Sequence, residues 1–546
     1  MPRLRIATLL ATVALLAACG GASDAPTTVP PPVVPPIVDP PPLGSTYTTS
    51  GRAAAGDVFV HMFEWRWPDL ARECEQVLGP AGYKGVQISP PSEHAIIRSA
   101  SDFYPWWQRY QTVSYRLDKS RSGTATEFGD MIARCRAVGV EVYADVVINH
   151  MTAGSGTGSA GSVYTKYNYP DAPFVSADFN PACSINTYMV ATQVQLCELV
   201  GLSDLRTSAE NVRARLAKYL IDLHQLGVAG FRVDAAKHVP PADLESIMTR
   251  VNAAATAAGR PKPYVFLEVI GSAGEAVTPQ QYFGVGFASG GATDITDFTY
   301  GARISDAFLT RNGRTLASAL QSFQGELLPS DKSVVFIDNH DTQRGSALYY
   351  ADSTYELAAI MMLAHGHGYP SLMSGYGFDR TGLSGRDSGP ASDGSGNTIP
   401  IYNTDGTSKC TTVIGSAQVT SWICEHRREA IPQMVAFRRA AAGTPTTDCG
   451  RGDWRIDADP QRVALCRDGA GFLAMSLSAT AATTVLVTRL PAGRYCNVAV
   501  HRLTKAAGAS PATCSGTAIT VASDGTASIA FSRRSAVALH IAARVN

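Results

Sequence analysis

Three carboxylates of this sequence stand at the ends of separate apolar segments. Asp234 and Glu268 each close such a segment, and Asp341 follows a third one after a few polar residues. A strand buried in a (β/α)8 barrel has this appearance when it delivers polar side chains to the top of the barrel. Cleavage of a glycosidic bond needs at least two carboxylates that face one another across the bond. The pattern therefore predicts sugar-bond chemistry at one end of a barrel.

The first two carboxylates are predicted to have different environments. Arg232 precedes Asp234 by two positions, so both side chains point to the same side of a strand. A neighbouring guanidinium favours the ionised carboxylate, and we expect a lowered pKa at Asp234, as a nucleophile requires. Glu268 ends an apolar segment, which raises the pKa of a carboxyl group and suits a general acid. From these residues alone, a structural ion pair and a structural glutamate stay open as alternatives.

The third carboxylate and two histidines are predicted to contact the substrate. Asp341 could hold sugar hydroxyls and stabilise an oxocarbenium-like transition state. His150 and His340 each follow an asparagine at the end of a predicted strand. We expect both to donate hydrogen bonds to sugar hydroxyls, with structural histidines as the alternative.

Two further residues offer a cation site. Asn149 begins and Asp204 ends a long Gly-, Ser- and Tyr-rich stretch that interrupts the barrel pattern. Their hard oxygen ligands suit Ca²⁺ better than a transition metal. A cation there would fasten the stretch to the barrel, whereas the alternative is that both side chains cap turns.

An aromatic loop, Tyr104–Tyr110, follows the second predicted strand. Flat aromatic faces can stack on sugar rings, and sugar pockets combine apolar walls with a few polar groups. We expect Trp107 and Tyr110 to stack on substrate and Gln111 to bind it. The other tryptophan, Trp106, is expected to be buried in the core.

Short apolar strands alternate with helices over much of the chain, which indicates a parallel sheet. The predicted strands are Val58–Phe63, Gly85–Ser89, Val140–Ile148, Val228–Val233, Tyr264–Val269 and Ser333–Ile337, and the predicted helices are Pro68–Leu78, Glu127–Val138, Asn211–Gln225, Pro241–Ala258 and Ser353–Ala364. After about residue 440, strand-like segments replace the helices. The predicted fold class is α/β, a (β/α)8 TIM barrel with a long inserted loop domain after strand 3 and a C-terminal antiparallel β-sandwich.

The N-terminal residues resemble an export signal, because Arg3 and Arg5 precede an apolar run too short to span a membrane. Leu16–Gly20 resembles a bacterial lipobox with Cys19 as the lipidated residue, and an ordinary signal peptide is the alternative. A Pro-rich, semi-rigid linker follows. The predicted segments are a signal peptide at 1–19, the linker at 20–46, barrel at 47–150, inserted domain at 151–204, barrel at 205–442 and sandwich at 443–546.

Composition narrows the classes of partner. A chain of 546 residues is expected to form two or three domains. Lys plus Arg and Asp plus Glu both number 46, so no basic face for nucleic acid is predicted, and a neutral polymer is a suitable partner.

Eleven cysteines in an exported protein indicate disulfides. Four pairs lie close enough in sequence to close loops, namely Cys183 with Cys197, Cys410 with Cys424, Cys449 with Cys466, and Cys496 with Cys514. Cys74 and Cys135 lie on amphipathic helical patterns and are interpreted as buried thiols. The sequence alone does not fix the connectivity, so these pairs are hypotheses.

With these motifs in this order, the sequence resembles the α-amylase family of retaining glycoside hydrolases from about residue 57 to 543. It is most similar to the animal-type, chloride-dependent members, through Val60–Trp67, Gly85–Pro91, Pro105–Tyr115 and Leu490–Cys496. The resemblance implies Asp234 as nucleophile, Glu268 as acid/base and Asp341 as transition-state stabiliser. Further implied substrate-site residues are Arg232, His150 and His340, with Lys237 and His238 on the leaving-group side.

The same resemblance implies a metal site and disulfides. The implied Ca²⁺ ligands are the side chains of Asn149 and Asp204 and the main-chain carbonyls of Gln195 and His238. The implied disulfides join Cys183 to Cys197, Cys410 to Cys424, and Cys496 to Cys514.

Three positions depart from the family pattern. The family chloride site uses two arginines and an asparagine; Arg232 and Asn339 match two of these, but the third falls at Ser371, which puts chloride dependence in question. The family partner of Cys74 falls at Asp118, so we expect Cys74 to lack that disulfide. The glycine-rich loop of animal members is replaced by residues 346–350.

The predicted function is endohydrolysis of α-1,4-glucosidic bonds in starch, with retention and a covalent glycosyl-enzyme intermediate. The expected partners are starch and α-1,4-glucan oligosaccharides, with structural Ca²⁺, no nucleic acid, and a membrane only through the lipid anchor. We expect a monomer that is either anchored to the outer membrane or secreted. The alternatives are a transglycosylase or maltooligosaccharide-forming enzyme on the same scaffold, and a non-catalytic starch-binding lipoprotein.

Overall fold

The computed structural model describes residues 47–98, 104–411, 421–504 and 512–545. The signal segment, the linker and the candidate lipidation residue Cys19 lie outside the described residues. Within the described ranges, no helix has the length and apolar character needed to cross a bilayer.

Eight parallel strands close into a barrel, as predicted. They are β1 (Phe59–Met62), β2 (Gly85–Ile88), β3 (Glu141–Val147), β4 (Gly230–Asp234), β5 (Tyr264–Leu267), β6 (Thr293–Thr296), β7 (Ser333–Val335) and β8 (Tyr369–Tyr376). Each strand pairs with the next, and β8 returns to β1 with Ser371 opposite Phe59. The strands are almost entirely buried, because helices cover the outside and side chains fill the inside.

The helices alternate with these strands. In the described part of the chain, those of six or more residues are α1 (Trp67–Glu73), α2 (Ala125–Ala137), α3 (Ala191–Leu196), α4 (Glu210–Leu226), α5 (Pro241–Ala257), α6 (Phe298–Phe308), α7 (Leu316–Ser322), α8 (Tyr355–Ala364) and α9 (Ala430–Ala440). Helix α2 begins at a capping box, in which the Thr124 hydroxyl accepts from the Glu127 N–H and the Glu127 carboxylate accepts from the Thr124 N–H.

Strands β6 and β8 were not predicted from sequence. Strand β6 reads Thr-Asp-Ile-Thr, and its Asp294 is buried because it accepts hydrogen bonds from Ser50 and Tyr264 at 2.6 and 2.9 Å. Strand β8 contains Pro370 and two serines, although every residue in it is buried. Polar residues that are buried and hydrogen-bonded inside the barrel interrupt the apolar pattern from which strands are predicted.

An aromatic layer fills the lower barrel. Phe59 lies 5.6 Å from Tyr143 and 4.7 Å from Tyr369 between ring centroids, and Tyr264 and Phe266 complete the layer. Since alternate residues of a strand share a face, Asp145 stands one step above Tyr143 on β3, towards the carboxyl end of the strand. This layer is therefore the floor beneath the polar residues at the carboxyl ends of the strands.

The inserted stretch leaves and rejoins the barrel at one place. Residues His150–Met151 pair antiparallel with Ser203–Asp204, and Asp204 lies directly opposite His150. Although 54 positions separate His150 from Asp204 in the sequence, this pairing brings them together. Asn149, the residue before His150, is therefore close to Asp204 as well.

The C-terminal region is antiparallel, with strands β9 (Arg462–Arg467), β10 (Gly471–Ser476), β11 (Ala482–Val487), β12 (Thr526–Phe531) and β13 (Ser535–His540). Strand β10 lies between β9 and β13, whereas β11 pairs with β12. Side chains of both sheets share one core that includes Phe472, Leu486 and Ile529. This two-layer packing is a β-sandwich.

Five disulfides join the cysteines of the described residues. Four of them are the loop-closing pairs considered in the sequence analysis, which the structure confirms: Cys183 with Cys197, Cys410 with Cys424, Cys449 with Cys466, and Cys496 with Cys514. Disulfides at this density indicate folding in an oxidising compartment.

The fifth disulfide joins Cys74 to Cys135. The interpretation of these two residues as buried thiols was wrong. Helix α1 and the turn after it pack against α2, which brings the two Cα atoms to 5.0 Å. Cys74 therefore has a partner on α2, although Asp118 occupies the position where the family pattern places one.

Candidate active site

Arg232 connects three acidic side chains on the floor of the cleft at the carboxyl ends of the strands. Its Nη1 donates to Asp234 Oδ1 at 2.8 Å and to both oxygens of Asp145 at 2.8 and 2.9 Å. Its Nη2 lies 2.9 Å from Glu268 Oε1. One guanidinium therefore fixes Asp234 and Glu268 relative to each other, as facing catalytic carboxylates require.

Strand geometry produces this convergence. Arg232 and Asp234 are alternate residues of β4, so both point into the barrel, and Asp145 of β3 lies opposite Arg232 in register. Glu268 directly follows β5, where its Oε2 accepts the Ala235 N–H at 2.8 Å. The three acids thus come from three neighbouring strands.

Burial governs the protonation of the first two carboxylates. It raises the pKa of Asp234 to about 6, with Arg232 opposing the rise and Asp145 adding to it. The expectation of a lowered pKa at Asp234 was wrong, because Arg232 is shared among three carboxylates and cannot offset burial at one of them. Burial also raises the pKa of Glu268, opposed by Arg232 and increased by Asp234, which is the direction expected for a general acid.

Asp341 is the most accessible of the three predicted catalytic acids. It lies in the turn after β7, where Asn339 Oδ1 accepts its N–H at 3.0 Å, and 42% of its side chain is exposed in the cleft. Confinement in the cleft, followed by the negative charge of Glu268, raises its pKa to about 7. Asp341 therefore faces the cleft beside the pair that Arg232 bridges.

Both predicted histidines border this cleft and are neutral at pH 7. Burial lowers the pKa of His150 to about 4 and that of His340 well below its usual range. His150 contacts the Tyr110 carbonyl through Nε2 at 3.0 Å, while His340 Nε2 lies 3.2 Å from Asp341. Within the described residues, His340 Nδ1 is buried without a hydrogen-bond partner. His340 therefore supports Asp341 directly, whereas His150 supports the aromatic loop.

The aromatic loop forms one edge of the cleft. Tyr110 is buried, because its ring stacks on His340 at 4.9 Å and its hydroxyl donates to Asp145 at 3.0 Å. Trp107 is half-buried, which leaves part of its ring free for a ligand. Trp106, which was predicted to be buried in the core, packs against the core but is only half-buried, and its Nε1 donates to the Arg386 carbonyl at 3.0 Å.

The predicted substrate-site residues Gln111, Lys237 and His238 lie around the same cleft. Gln111 is half-buried and its Oε1 accepts from Thr152 at 2.6 Å. Lys237 is buried, with Nζ 2.6 Å from both Glu275 and the Ile270 carbonyl. The Lys237 ammonium is therefore paired with Glu275, while the main-chain N–H of Lys237 donates to the Glu268 carbonyl at 3.1 Å.

The candidate calcium residues also come together. Asp204 is buried and its Oδ2 accepts from Asn180 at 2.8 Å, but within the described ranges its Oδ1 has no partner. Burial raises the pKa of Asp204 to about 8. A lone buried carboxylate with a free oxygen calls for a cation, and Ca²⁺ accepts this donor type.

Main-chain groups complete the candidate set. Helix α3, which contains Gln195, packs on the turn that contains His238, and His238 Nδ1 lies 2.7 Å from the Val194 carbonyl. The Asn149 amide nitrogen lies 3.2 Å from His150 Nδ1, so this contact does not use the amide oxygen that was predicted to bind a cation. Within the described ranges, no three acidic, His or Cys side chains cluster as a metal site.

The candidate chloride residues line a small cavity of about 20 Å³ beneath the catalytic acids. Arg232 and Asn339 border it, together with Ser371 and His61. Arg232 already contacts three carboxylates, Ser371 carries no charge, and burial lowers the pKa of His61 well below its usual range. The donor set therefore does not fit a halide, which would add negative charge where carboxylates outnumber the cation.

Two residues of the site had no predicted role. Asp145 is fully buried and holds Arg232, and the available signal was an acid inside the otherwise apolar strand β3. Arg344 borders the cleft three residues after Asp341, and nothing in the spacing distinguishes it from a surface arginine.

Comparison with known proteins agrees with this geometry. Residues 96–385 match the family described as alpha amylase, catalytic domain. The chain is 41% identical over 507 residues to an α-amylase from Tribolium castaneum, covering 90% of this chain and 96% of that protein. It is 43% identical over 453 residues to an α-amylase from Thermomonospora curvata, covering 81% of this chain and 67% of that protein. It is also similar to the solved structure of a mutant α-amylase I from Eisenia fetida in complex with maltohexaose, with TM-score 0.77, 35% identity, and coverage of 89% of this chain and 97% of that one.

Proposed function

The chain belongs to the α-amylase family of glycoside hydrolases, and we propose that it cleaves internal α-1,4-glucosidic bonds of starch with retention of configuration. The observation that carries this proposal is the single guanidinium of Arg232 in contact with both Asp234 and Glu268. Such bridging holds two carboxylates in one fixed relation, as a double-displacement reaction requires.

In the proposed reaction, Asp234 attacks the anomeric carbon while Glu268 transfers its proton to the leaving glycosidic oxygen. The bond to the leaving sugar breaks and a glycosyl ester to Asp234 forms. Glu268, now ionised, takes a proton from water, whose oxygen attacks the anomeric carbon and releases Asp234. Asp341 stabilises the positive charge that develops on the sugar.

The roles are tested with Asp234→Ala and Glu268→Ala, each assayed with a maltooligosaccharide fluoride and azide. Loss of about 10⁴-fold or more in kcat is expected without azide. Azide should give the β-glycosyl azide with the Asp234 variant and the α-glycosyl azide with the Glu268 variant, because only the second retains the covalent step. The same anomer from both variants would contradict the assignment, and Asp294→Ala serves as a control at the opposite end of the barrel.

We propose that Ca²⁺ is a structural ion held by Asn149 and Asp204 side chains and by the carbonyls of Gln195 and His238. The unpartnered Asp204 oxygen supports this. When bound, the ion would supply positive charge that fastens the inserted stretch to the barrel. Chelation should lower the melting temperature of the wild type, but not that of Asp204→Asn, which should hold less calcium by mass spectrometry. Equal calcium content in both proteins would contradict the site.

We propose that activity does not depend on chloride. The absence of a second cation at Ser371 and the sharing of Arg232 among three acids support this. We expect kcat in sodium gluconate to lie within about 1.5-fold of kcat in sodium chloride at equal ionic strength, since chloride would have no favourable site. A tenfold activation by chloride would contradict the proposal.

We also propose that the protein is exported and acylated at Cys19, and that it acts as a monomer. The lipobox-like sequence around Cys19 supports acylation. Labelling with a fatty-acid analogue should mark the wild type but not Cys19→Ser, and an unlabelled wild type would favour the ordinary signal peptide.

A further inference from the structure

Arg344 connects three parts of the cleft edge. Its Nη1 donates to the His340 carbonyl, its Nε donates to the Arg386 carbonyl at 2.9 Å, and its Nη2 donates to the Tyr376 hydroxyl at 2.8 Å. The side chain is 6% exposed. A planar guanidinium offers these divergent donors in a fixed geometry that no other side chain reproduces.

The same guanidinium is enclosed by aromatic rings. Its Cζ lies 4.3 Å from the Phe378 ring centroid, 4.8 Å from that of Trp106 and 5.4 Å from that of Phe63. Trp106 Nε1 donates to the Arg386 carbonyl that Arg344 also uses. The position of the Trp106 ring is therefore tied to that of Arg344.

The ion-pair pattern of Arg344 is unusual for an arginine at an acidic site. No carboxylate lies within salt-bridge distance of it in the part of the chain that the structure describes; carbonyls, a hydroxyl and rings surround it. Its charge therefore has no direct ion-pair partner there and acts on carboxylates at longer range, Asp341 and Asp387 among them.

The segment that follows is held independently. Arg311 donates to the Ser346 carbonyl at 2.7 Å, Arg380 donates to the Ala347 carbonyl at 2.8 Å, and Leu348 is fully buried with its N–H on Ser305 Oγ at 3.0 Å. Loss of Arg344 would thus leave these anchors in place. Any effect of Arg344 on the reaction can be separated from a general loosening of the segment.

We propose that Arg344 is a positioning residue that couples the turn bearing Asp341 to the aromatic edge formed by Trp106, and so places the bound sugar against Asp341. The inference rests on the proposed function, because it assigns Asp341 to the reacting sugar. The His340 carbonyl is the contact between Arg344 and the turn, because it belongs to the peptide group that leads into Asp341. The Arg344 guanidinium also donates to the Arg386 carbonyl, which Trp106 contacts on the aromatic edge.

The test compares Arg344→Met, Arg344→Lys and the control Arg380→Met on a defined maltooligosaccharide. Arg380 is a matched control because it too is a cation that donates to main-chain carbonyls of this segment and covers an aromatic ring, Tyr349, at 3.8 Å. For Arg344→Met we expect kcat to fall by about 10- to 100-fold through misplacement of Asp341, with KM changed less than about threefold. Arg380→Met should keep kcat within about twofold.

The pH profile separates positioning from stability. The charged or titratable groups that face Asp341 are Glu268, Asp234, Arg232, His340, Tyr110 and Arg344. Removing the positive charge of Arg344 raises the pKa of Asp341, so the acid limb of kcat/KM should move to higher pH by about half a unit in Arg344→Met. Arg344→Lys keeps the positive charge but not the three hydrogen bonds. The acid limb of kcat/KM of this variant should therefore stay in place while kcat still falls.

Three outcomes would overturn the inference: an Arg344→Met enzyme with kcat within about twofold of wild type, an unmoved acid limb in that variant, or equal losses in Arg344→Met and Arg380→Met. Thermal melting verifies that each variant is folded. If Arg344→Met does not fold, Arg344→Lys carries the test through kcat alone, and wild-type kcat there would overturn the inference. Failure of the proposed function is distinguishable, because the wild type itself would then release no products from starch.

Discussion

Asp145→Asn should move the parts of the pH profile that Asp234 and Glu268 set towards acid. Asp145 is fully buried and accepts from Arg232 Nη1 through both oxygens, so it competes with Asp234 for one cation. The substitution removes one negative charge and keeps the size of the side chain. Arg232 then serves two carboxylates instead of three, and both become easier to ionise.

The size of the effect follows from the hydrogen bonds. Asp145 and Asp234 each accept from the same Nη1 at 2.8 Å, so their oxygens lie at most about 6 Å apart. At that separation, two unit charges interact by about 1.4 to 2.8 kcal/mol for effective dielectric constants of about 40 to 20. Loss of this repulsion lowers the pKa of Asp234 from about 6 towards about 4 to 5.

The sign of the change on activity is fixed by the roles of the two acids. Asp234 must be ionised to attack, so the part of the acid limb of kcat/KM that Asp234 sets should move down by about one to two pH units, while the part set by Asp341 stays in place. Glu268 must be protonated, and the negative charge of Asp145 also acts on it, so the basic limb should move in the same direction. The assay is kcat/KM for a maltooligosaccharide across the pH range. Asp294→Asn is the matched control, because Asp294 is also buried but bonds to Ser50 and Tyr264 instead of Arg232. A profile for Asp145→Asn that superimposes on the wild type, or moves to higher pH, would refute the reasoning.

Three stability predictions follow from buried contacts far from the cleft. Replacing Cys74 and Cys135 by alanine opens a loop of 61 residues, which should cost up to about 4 kcal/mol by chain entropy and appear as a lower denaturation midpoint; an unchanged midpoint would contradict the pairing. Burial alone would raise the pKa of Glu73, but His426 and Arg427 outweigh burial and hold the pKa at about 2. The stabilisation that the Glu73 carboxylate gives the fold is therefore present above about pH 4.5 and lost as pH falls towards 2. Glu73→Gln should therefore lose about 3 kcal/mol at pH 7 and show a flatter stability curve in that acid window, as measured by melting temperature. Arg467→Met removes a shared donor from the carbonyls of residues 364, 441 and 444, of which, among the described residues, only that of residue 441 keeps other donors, from Thr444. Limited proteolysis should then release the C-terminal sandwich sooner, at a cost of about 1 to 3 kcal/mol.

The sequence alone was sufficient to predict the strands and helices whose residues are apolar and periodic. Strands β1 to β5 and β7 are mostly apolar, and the polar residues at the ends of β4, β5 and β7 led to the three predicted catalytic acids. Strand β6 could not be predicted, because Asp294 is tolerated inside the barrel only through its bonds to Ser50 and Tyr264. Short spacing was enough to pair Cys183 with Cys197, whereas the partner of Cys74 was invisible, since that contact depends on how α1 packs against α2.

Electrostatics marks the limit of sequence reasoning at the site. The pair Arg232 and Asp234 in isolation predicts a lowered pKa at Asp234, and the spacing behind that prediction is right. What spacing cannot show is that the same guanidinium also reaches Asp145 on the preceding strand and Glu268 after the following one. A cation shared among three acids leaves burial as the dominant influence on each of them.

The sharing of Arg232 also bears on how the site can operate without a halide. A catalytic acid needs a raised pKa, and an added anion beneath the cleft is one way to raise it. Here the Asp145 carboxyl lies within about 6 Å of Asp234 and, when ionised, raises the pKa of Asp234. Under the proposed independence of chloride, this carboxyl on β3 would take the electrostatic role that an exchangeable anion would have, and the neutral Ser371 on β8 is compatible with that arrangement. If this is correct, the acid shift of Asp145→Asn and the indifference of the wild type to chloride have one cause, and the two measurements must agree.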